Sequence, residues 1–429
     1  MKLLVVGSGG REHALVRALA RTAPNCEVTC APGNAGIGRD ARLFPVDAGD
    51  VEGLLALADR EGFDLTVVGP ELPLDRGIVD RFRAASHRIF GPSAAAARLE
   101  CSKAFAKDFM ARHGIPTARY RVCASAQEAQ SILAGGEFGV PVVIKADGLA
   151  AGKGVVVAST RAEAEAAVRG AMEDRQFGDA GARVVIEECL SGPEVSFFAL
   201  CDGTTAIPIG TAQDHKRAYD DDRGPNTGGM GAFAPSPLAD DELNARVMRE
   251  IVEPVVRGMR DEGHEYRGFL YVGLILTCNG PKVIEFNVRF GDPEAQVVLP
   301  MLDGNLPALL IAAGEGRVAS ERVTVADGAS VGVVLASGGY PGAVKTGVPI
   351  EGIEEAAQVP GVEVFHAATA VRDGRLVTSG GRVLTVVGRA PTFDEAIERA
   401  YAGVNRISFD GMHFRQDIGK RALTIKTNN

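Results

Sequence analysis

Between Val283 and Glu294 three polar side chains, Glu285, Asn287 and Arg289, alternate with Phe286, Val288 and Phe290. Alternate residues of an extended strand share a face. A carboxylate, an amide oxygen and a guanidinium therefore stand in a row above an apolar underside. Magnesium takes a few protein oxygens and completes its shell with phosphate oxygens and water, a role that suits Glu285 and Asn287. Arg289 beside them can grip a carboxylate or phosphate in a two-pronged bond. A half-exposed strand with an ordinary polar face would alternate in the same way. The unbroken Glu-x-Asn-x-Arg order favours the site.

Glycine-rich loops supply the second kind of chemistry. Gly7-Ser8-Gly9-Gly10-Arg11-Glu12-His13 joins a strand pattern to a helix pattern, where backbone N–H groups at a helix start can hold phosphate. The dinucleotide fingerprint nearly fits but fails at Glu12, where the third glycine belongs, and the second strand ends in Ala31-Pro32 without an acid for a ribose diol. A nicotinamide dinucleotide is disfavoured; a smaller phosphorylated ligand and a plain tight turn both remain open. Residues 145–154 (Lys-Ala-Asp-Gly-Leu-Ala-Ala-Gly-Lys-Gly) resemble a P-loop but are one residue short and lack the following serine or threonine. They read as a glycine hairpin between two strands, able to close over phosphates with backbone N–H groups and the charge of Lys153. An ordinary flexible hairpin is the alternative. Val185–Glu194 passes from strand to turn; such an edge can offer backbone groups to an adenine, with Glu194 free for ribose hydroxyls, although paired acids at a strand end are usually just solvated. Gln213–Arg217 through Gly228–Gly231 reads as a long, charged, glycine-bearing loop, and long loops in compact domains are usually functional or disordered.

The elements around these motifs fall into three groups. In the first hundred residues strands at Leu3–Val6, Glu27–Ala31, Leu65–Val68 and Arg88–Phe90 alternate with helices at Glu12–Arg21, Val51–Arg60 and Leu74–Ala84. That alternation implies a parallel sheet covered on both faces, with ligands at the carboxyl ends of its strands. From Ser102 onward a helix (Lys103–His113) leads to the hairpin Pro141–Ala146 and Val155–Ala158, a helix over Thr160–Asp174, and strands at Val184–Glu188, Glu194–Cys201, Thr205–Ile209, Phe269–Thr277 and Lys282–Arg289. Strands in runs point to an α+β domain with antiparallel sheets. Leu306–Ala313 reads as a helix, Gly314–Gly328 as a polar link, and the remainder mixes helices with strands at Val331–Ala336, Val362–Thr369 and Arg382–Gly388. The fold class is therefore α/β and α+β, multidomain, with an N-terminal parallel-sheet domain over 1–102, a central domain over 103–315 whose 122–190 part is expected to move, and a small C-terminal α/β domain over 325–429.

Composition narrows the class. The chain has 429 residues, 46% of them hydrophobic, and a formal charge of −9, with basic side chains dispersed. A nucleic-acid surface is not expected, nor is any segment long and apolar enough to span a bilayer. The apolar start Leu3–Val6 meets Gly7 at once, as a first strand does and a signal peptide does not. Seven cysteines without a Cys-x-x-Cys pair argue against a disulfide framework and structural zinc. A cytoplasmic protein is expected.

Taken together, residues 9–13, 31–36, 68–71, 145–154, 213–217, 224–231, 285–294 and 338–342 resemble the phosphoribosylamine–glycine ligase family of the ATP-grasp superfamily, in which ATP lies between two α+β subdomains. The resemblance spans essentially the whole chain. It implies ATP-dependent joining of glycine to 5-phosphoribosylamine in purine biosynthesis, with Mg2+ (or Mn2+), in a monomer or weak dimer. It further implies that Lys103 and Lys145 hold ATP phosphates and that Gly148, Gly152, Lys153 and Gly154 form the closing loop. Glu187, Glu188, Leu190 and Glu194 fall to adenosine, and Glu285 and Asn287 to the metal. Gly9, Gly10, Asn34, Gly36, Pro70 and Glu71 fall to phosphoribosylamine, with Asp214 and Arg289 nearby. The implied catalytic set is Arg289, Asp214 and Lys145. The strand Tyr271–Leu276 lacks the further acidic ligand that many ATP-grasp enzymes carry. The competing expectations are another ATP-grasp enzyme acting on bicarbonate or formate, an NAD-dependent oxidoreductase, and an ATP sensor without turnover.

Overall fold

The computed structural model describes residues 1–149, 154–318 and 323–426. The N-terminal sheet is five-stranded and parallel, with Lys2–Gly7 at its centre, Glu27–Pro32 and Arg42–Leu43 to one side, and Leu65–Val68 and Ile89–Phe90 to the other. Its strands are apolar on both faces because helices cover both; Leu3, Leu4, Val5 and Val6 are fully buried. The two-residue strand Arg42–Leu43 carries too little pattern to be read from sequence. The helix expected over Leu74–Ala84 is two helices, Glu71–Asp75 and Ile78–Ala84. Gly77 between them stands at φ 77°, a left-handed conformation that ends one helix and starts the next.

The central domain holds two sheets. A four-stranded sheet (order Tyr120–Cys123, Val184–Glu188, Val142–Ala146, Val155–Ala158) packs the helices Ala126–Gly135 and Arg161–Met172 over a core of Val142, Ile144, Ala158, Ala164, Val168, Val184 and Ile186. Ser125 and Thr160 start these helices by accepting the backbone N–H groups of Glu128 and Glu163, a cap worth about 1 kcal/mol. The larger sheet has eight strands and is antiparallel throughout: Gly280–Asn287, Arg267–Thr277, Glu194–Asp202, Ala206–Asp214, Gly231–Ala234, Ala329–Ala336, Arg382–Ala390 and Val362–His366. It runs without a break from the central into the C-terminal segment.

Several expectations are corrected here. The strand expected at Thr205–Ile209 extends to Asp214, so Gln213 and Asp214 lie in the sheet. The long loop after them contains the hairpin Arg217–Tyr219 with Arg223–Asn226. Val362–Thr369 breaks at His366, and Thr369–Arg372 turns away to pair with Arg375–Thr378. The strand holding Glu285 ends at Asn287, leaving Arg289 just beyond it. The helical stretches Ala94–Cys101, Asp241–Val247 and Glu253–Asp261 were not assigned from sequence.

Candidate active site

The strand Gly280–Asn287 forms one wall. Its ladder with Arg267–Thr277 slips by one residue: Gly273 faces Glu285, Leu274 faces Val283, and Ile284 is left unmatched. A bulge of this kind re-aims groups on its strand. The freed Ile284 carbonyl accepts a hydrogen bond from Lys145 Nζ at 3.0 Å, tying the eight-stranded sheet to the four-stranded one. Lys145 also meets Glu187 Oε1 at 3.0 Å, an ion pair whose angle falls short of a hydrogen bond, so that oxygen has no hydrogen-bond donor. Glu187 Oε2 meets Lys107 Nζ at 2.9 Å. Lys107 also donates to Thr117 Oγ1 at 2.7 Å, and Thr117 donates to the Val283 carbonyl at 2.7 Å. The circuit returns to the strand it left. Burial pushes the Lys107 ammonium down to about 8, opposed by Glu187 and assisted by Lys145.

Neither Glu285 nor Asn287 makes a side-chain hydrogen bond among the described residues. Burial alone would raise the Glu285 carboxyl, but Lys216, Lys145, Lys103 and Arg289 outweigh it and hold the group below the ordinary carboxylate range. An ionised carboxylate and a free amide oxygen two residues apart fit a magnesium or manganese ion. Gly273, opposite Glu285, adds no third donor. Burial raises the neighbouring Asp214 carboxyl, with Lys216 opposing and Glu194 and Glu285 assisting. Lys216 bonds Glu194 at 2.5 Å and stays partly open to solvent.

Arg289 is gripped from three sides. Its Nε donates to Glu71 at 3.2 Å, its Nη2 pairs with Glu100 at 2.8 Å, and its Nη1 donates to the Phe290 carbonyl at 3.0 Å. Two of its five N–H groups are hydrogen-bonded and Nη2 meets Glu100 as an ion pair, so three have no hydrogen-bond partner among the described residues. Glu100 also accepts the Val288 N–H at 2.7 Å, so one buried acid fixes both the arginine and the strand end.

The N-terminal turn faces this corner. Glu12 does not merely replace a glycine; it fills the turn. Its carboxylate accepts the Gly9 N–H at 2.6 Å and the Arg11 guanidinium at 2.6 Å. A methyl group on Gly69 would stand 2.2 Å from Glu12 Oε1, so Gly69 makes room for the acid. Asn34 is fully engaged: its amide donates to the Ser8 and His366 carbonyls and its oxygen accepts the Gly36 and Ile37 N–H groups. Gly36 packs against His366. Pro70 precedes the short helix that carries Glu71. Gly10 opens the helix Gly10–Thr22.

On the opposite side, Lys103 opens the helix Lys103–Arg112, with its Nζ 3.4 Å from the Gly148 carbonyl. Asp147 binds Ser102 Oγ at 2.9 Å, the Ala104 N–H at 2.7 Å and Arg183 at 2.5 Å. It therefore anchors the root of the glycine loop, next to Gly148; Gly154 marks its return. Gly152 and Lys153 lie outside the described residues. The Glu187 carboxylate lies between two lysines, and its backbone belongs to a strand paired on both sides. Glu188 is held by Arg119 N and Nε at 3.0 and 2.8 Å, and Leu190 follows in the turn toward Glu194. The geometry thus brings Lys103, Lys145 and Gly148 to one side and Gly9, Glu71 and Arg289 to the other, with Glu285 and Asn287 between them. Glu100, Lys107 and Asp147 were missed by the sequence reading; each is an ordinary polar residue on a helix or turn, and only its long-range partners mark it.

Two α+β sheets joined by Lys145 of one and the strand carrying Glu285 and Asn287 of the other, preceded by a parallel-sheet domain, define an ATP-grasp enzyme. Models of the phosphoribosylglycinamide synthetase N domain, ATP-grasp (A) domain and C domain match residues 1–100, 101–295 and 330–421. The chain belongs to this ligase family. Phosphoribosylamine–glycine ligase of Xylella fastidiosa (strain Temecula1) is 55% identical over 427 residues, covering 99% of this chain and 98% of that protein. That of Escherichia coli O6:H1 is 51% identical over the full length of both. A crystal structure of phosphoribosylamine–glycine ligase from Thermotoga maritima superposes with a TM-score of 0.84 at 35% identity, covering 97% of this chain and 100% of that one. Biotin carboxylase from Campylobacter jejuni shares the fold, with a TM-score of 0.74 at 16% identity. No helix among the described residues is long and apolar enough to cross a membrane.

Proposed function

We propose that this protein joins glycine to 5-phosphoribosylamine, converting ATP to ADP and phosphate and giving glycinamide ribonucleotide by way of glycyl phosphate. A glycine carboxylate is a poor electrophile. Its oxygen attacks the γ-phosphorus of ATP and ADP leaves. The 1-amino group then attacks the acyl carbon, the carbon–oxygen bond breaks, and phosphate departs with the glycine oxygen. Phosphoryl transfer of this kind needs positioning and charge neutralisation more than covalent help. Orienting two bound reactants is worth roughly 7–11 kcal/mol.

The residues divide by side. Lys103 and Lys145 take the ATP phosphates beside Gly148 and Gly154, with Gly152 and Lys153 in the same segment of sequence. Backbone groups at Glu188 and Leu190 face adenine, with Glu187 on the same strand beside them, and Glu194 faces the ribose. Glu285 and Asn287 would hold Mg2+ or Mn2+, which when bound neutralises charge on the phosphates. Gly9, Gly10, Asn34, Gly36, Pro70 and Glu71 line the phosphoribosylamine side. For Asn34 and Gly36 that contribution is through shape and backbone, since their polar groups are engaged. The N–H groups of Arg289 that have no hydrogen-bond partner reach the acyl group, with Asp214 nearby. We place the enzyme in the cytoplasm as a monomer or weak dimer.

The observation that carries this reading is the pairing of Glu285 and Asn287, whose side chains make no hydrogen bond among the described residues, with Lys145, which is fastened to the bulge carbonyl of the same strand. The test is mass detection of glycinamide ribonucleotide from purified protein, ATP, Mg2+, glycine and freshly made phosphoribosylamine. Product should vanish when glycine is withheld. Equal ADP release with formate or bicarbonate in place of glycine would overturn the substrate assignment.

A further inference from the structure

The strand Arg382–Ala390 also carries a bulge. Leu335 faces Leu384, but Ala336 faces Arg382, so Val383 is unmatched and the residue before it is re-aimed. The Arg382 guanidinium leaves the C-terminal part of the sheet and enters between two loops of the cleft. Its Nη1 donates to the Gly228 carbonyl and to the Asp292 carbonyl at 2.6 Å, while Nη2 pairs with the Asp292 carboxylate at 3.3 Å. The Tyr340 hydroxyl, from the same C-terminal segment, accepts the Gly228 N–H at 3.0 Å. One guanidinium and one phenol therefore hold both backbone polar groups of Gly228. Asp292 is braced in turn by Gln296 at 2.8 Å, and its Oδ2 lies 3.5 Å from the point where a side chain on Gly9 would begin. Three loops converge: the glycine loop around 228, the turn at 290–294 that follows Arg289, and the N-terminal turn at Gly9.

We propose that Arg382 is a positioning residue for phosphoribosylamine, fixing the Gly228 loop and the Asp292 turn against Gly9 so that the C-terminal domain shapes the amine-substrate side of the cleft. This rests on the reading above that this side receives phosphoribosylamine. Arg382 is 22% exposed and retains N–H groups without partners among the described residues, unlike a sealed strut such as Arg415, which is 1% exposed. Its partners are not those of Lys145, which are Ile284 and Glu187, so the ATP side should not feel its loss. A lysine offers one point charge where three acceptors are held by a planar fork.

The test is steady-state kinetics of the full-length enzyme with Arg382→Gln, Arg382→Lys and Tyr340→Phe, varying each substrate in turn. KM for phosphoribosylamine should rise about tenfold or more in both Arg382 variants, and about threefold in Tyr340→Phe, while KM for ATP and for glycine stays within about twofold. A phosphoribosylamine KM within about twofold of wild type, or ATP and glycine KM values rising in step with it, overturns the proposal. Should the Arg382 variants fail to fold, Tyr340→Phe decides by the same criterion. Wild-type protein that forms no glycinamide ribonucleotide would instead refute the functional reading itself.

Discussion

The buried circuit Lys107–Glu187–Lys145 predicts an asymmetry that a simple count of ion pairs would miss. All three side chains are 3–5% exposed, and together they carry a net charge of +1. Glu187→Gln leaves two buried ammonium groups facing each other without an anion. Removing one partner of a buried pair typically costs about 3–5 kcal/mol, and this change removes the partner of two. Lys107→Met removes the excess charge and leaves a neutral Lys145–Glu187 pair, so it should cost less than about 1.5 kcal/mol. The double variant should recover part of the Glu187→Gln loss. The pH dependence follows. The Lys107 ammonium is lowered from 10.5 to about 8, chiefly by burial, so between those values the unfolded chain holds the extra proton. Stability contributed by this group is lost as pH falls through about 8 and gained as pH rises toward 10.5, by up to about 3 kcal/mol. Lys107→Met should lack that rise. Since the chain has no tryptophan, urea unfolding followed by far-UV circular dichroism at pH 7 and pH 9.5 is the assay. Lys107→Met costing as much as Glu187→Gln, or a double variant no better than Glu187→Gln alone, would refute the reasoning.

Glu285→Ala should lower kcat by about 10²–10³-fold, the equivalent of about 3–4 kcal/mol of lost charge stabilisation, with an unchanged circular dichroism spectrum; near-normal kcat at saturating Mg2+ would count against the metal assignment. The Glu294 carboxyl is pushed up to about 7 by burial and by Asp214. The folded state therefore binds the proton more tightly than the unfolded state, whose pKa is near 4.5, and stability falls as pH rises through that window. Glu294→Gln should match wild type near pH 5 and exceed it by about 1–3 kcal/mol at pH 8 in urea unfolding; equal stability at both pH values would contradict this. Gly69→Ala, which drives a methyl group into Glu12, should cost about 1–3 kcal/mol, read as a lower urea midpoint, and Gly69→Ala with Glu12→Ala should regain part of it.

The parallel sheet was legible because Leu3–Val6 and Leu65–Val68 are short, mainly apolar runs that each end in glycine, and the polar row Glu285, Asn287 and Arg289 because it keeps a strict period of two. What escaped was mostly non-local. Glu100 on Ala94–Cys101 reads as a surface acid, yet its partners Val288 and Arg289 lie far along the chain. Lys107 finds Glu187 and Arg382 finds Gly228 in the same way, and no local spacing encodes such pairs. The bulges at Ile284 and Val383 shift alternation by one residue, which a period-two reading cannot detect. The Leu74–Ala84 pattern looked continuous because the apolar positions on both sides of Gly77 share one helical period, whereas the glycine's left-handed backbone divides it. Glu12 was read as a defect in a dinucleotide fingerprint; the fold uses it as the centre of the turn.

Isotope transfer tests the central claim most directly. With glycine labelled by 18O in its carboxylate, turnover through an acyl phosphate should place one labelled oxygen in each phosphate released, alongside ADP. Unlabelled phosphate, or release of AMP and pyrophosphate, would contradict a cleft built to pass the γ-phosphoryl group of ATP to a carboxylate.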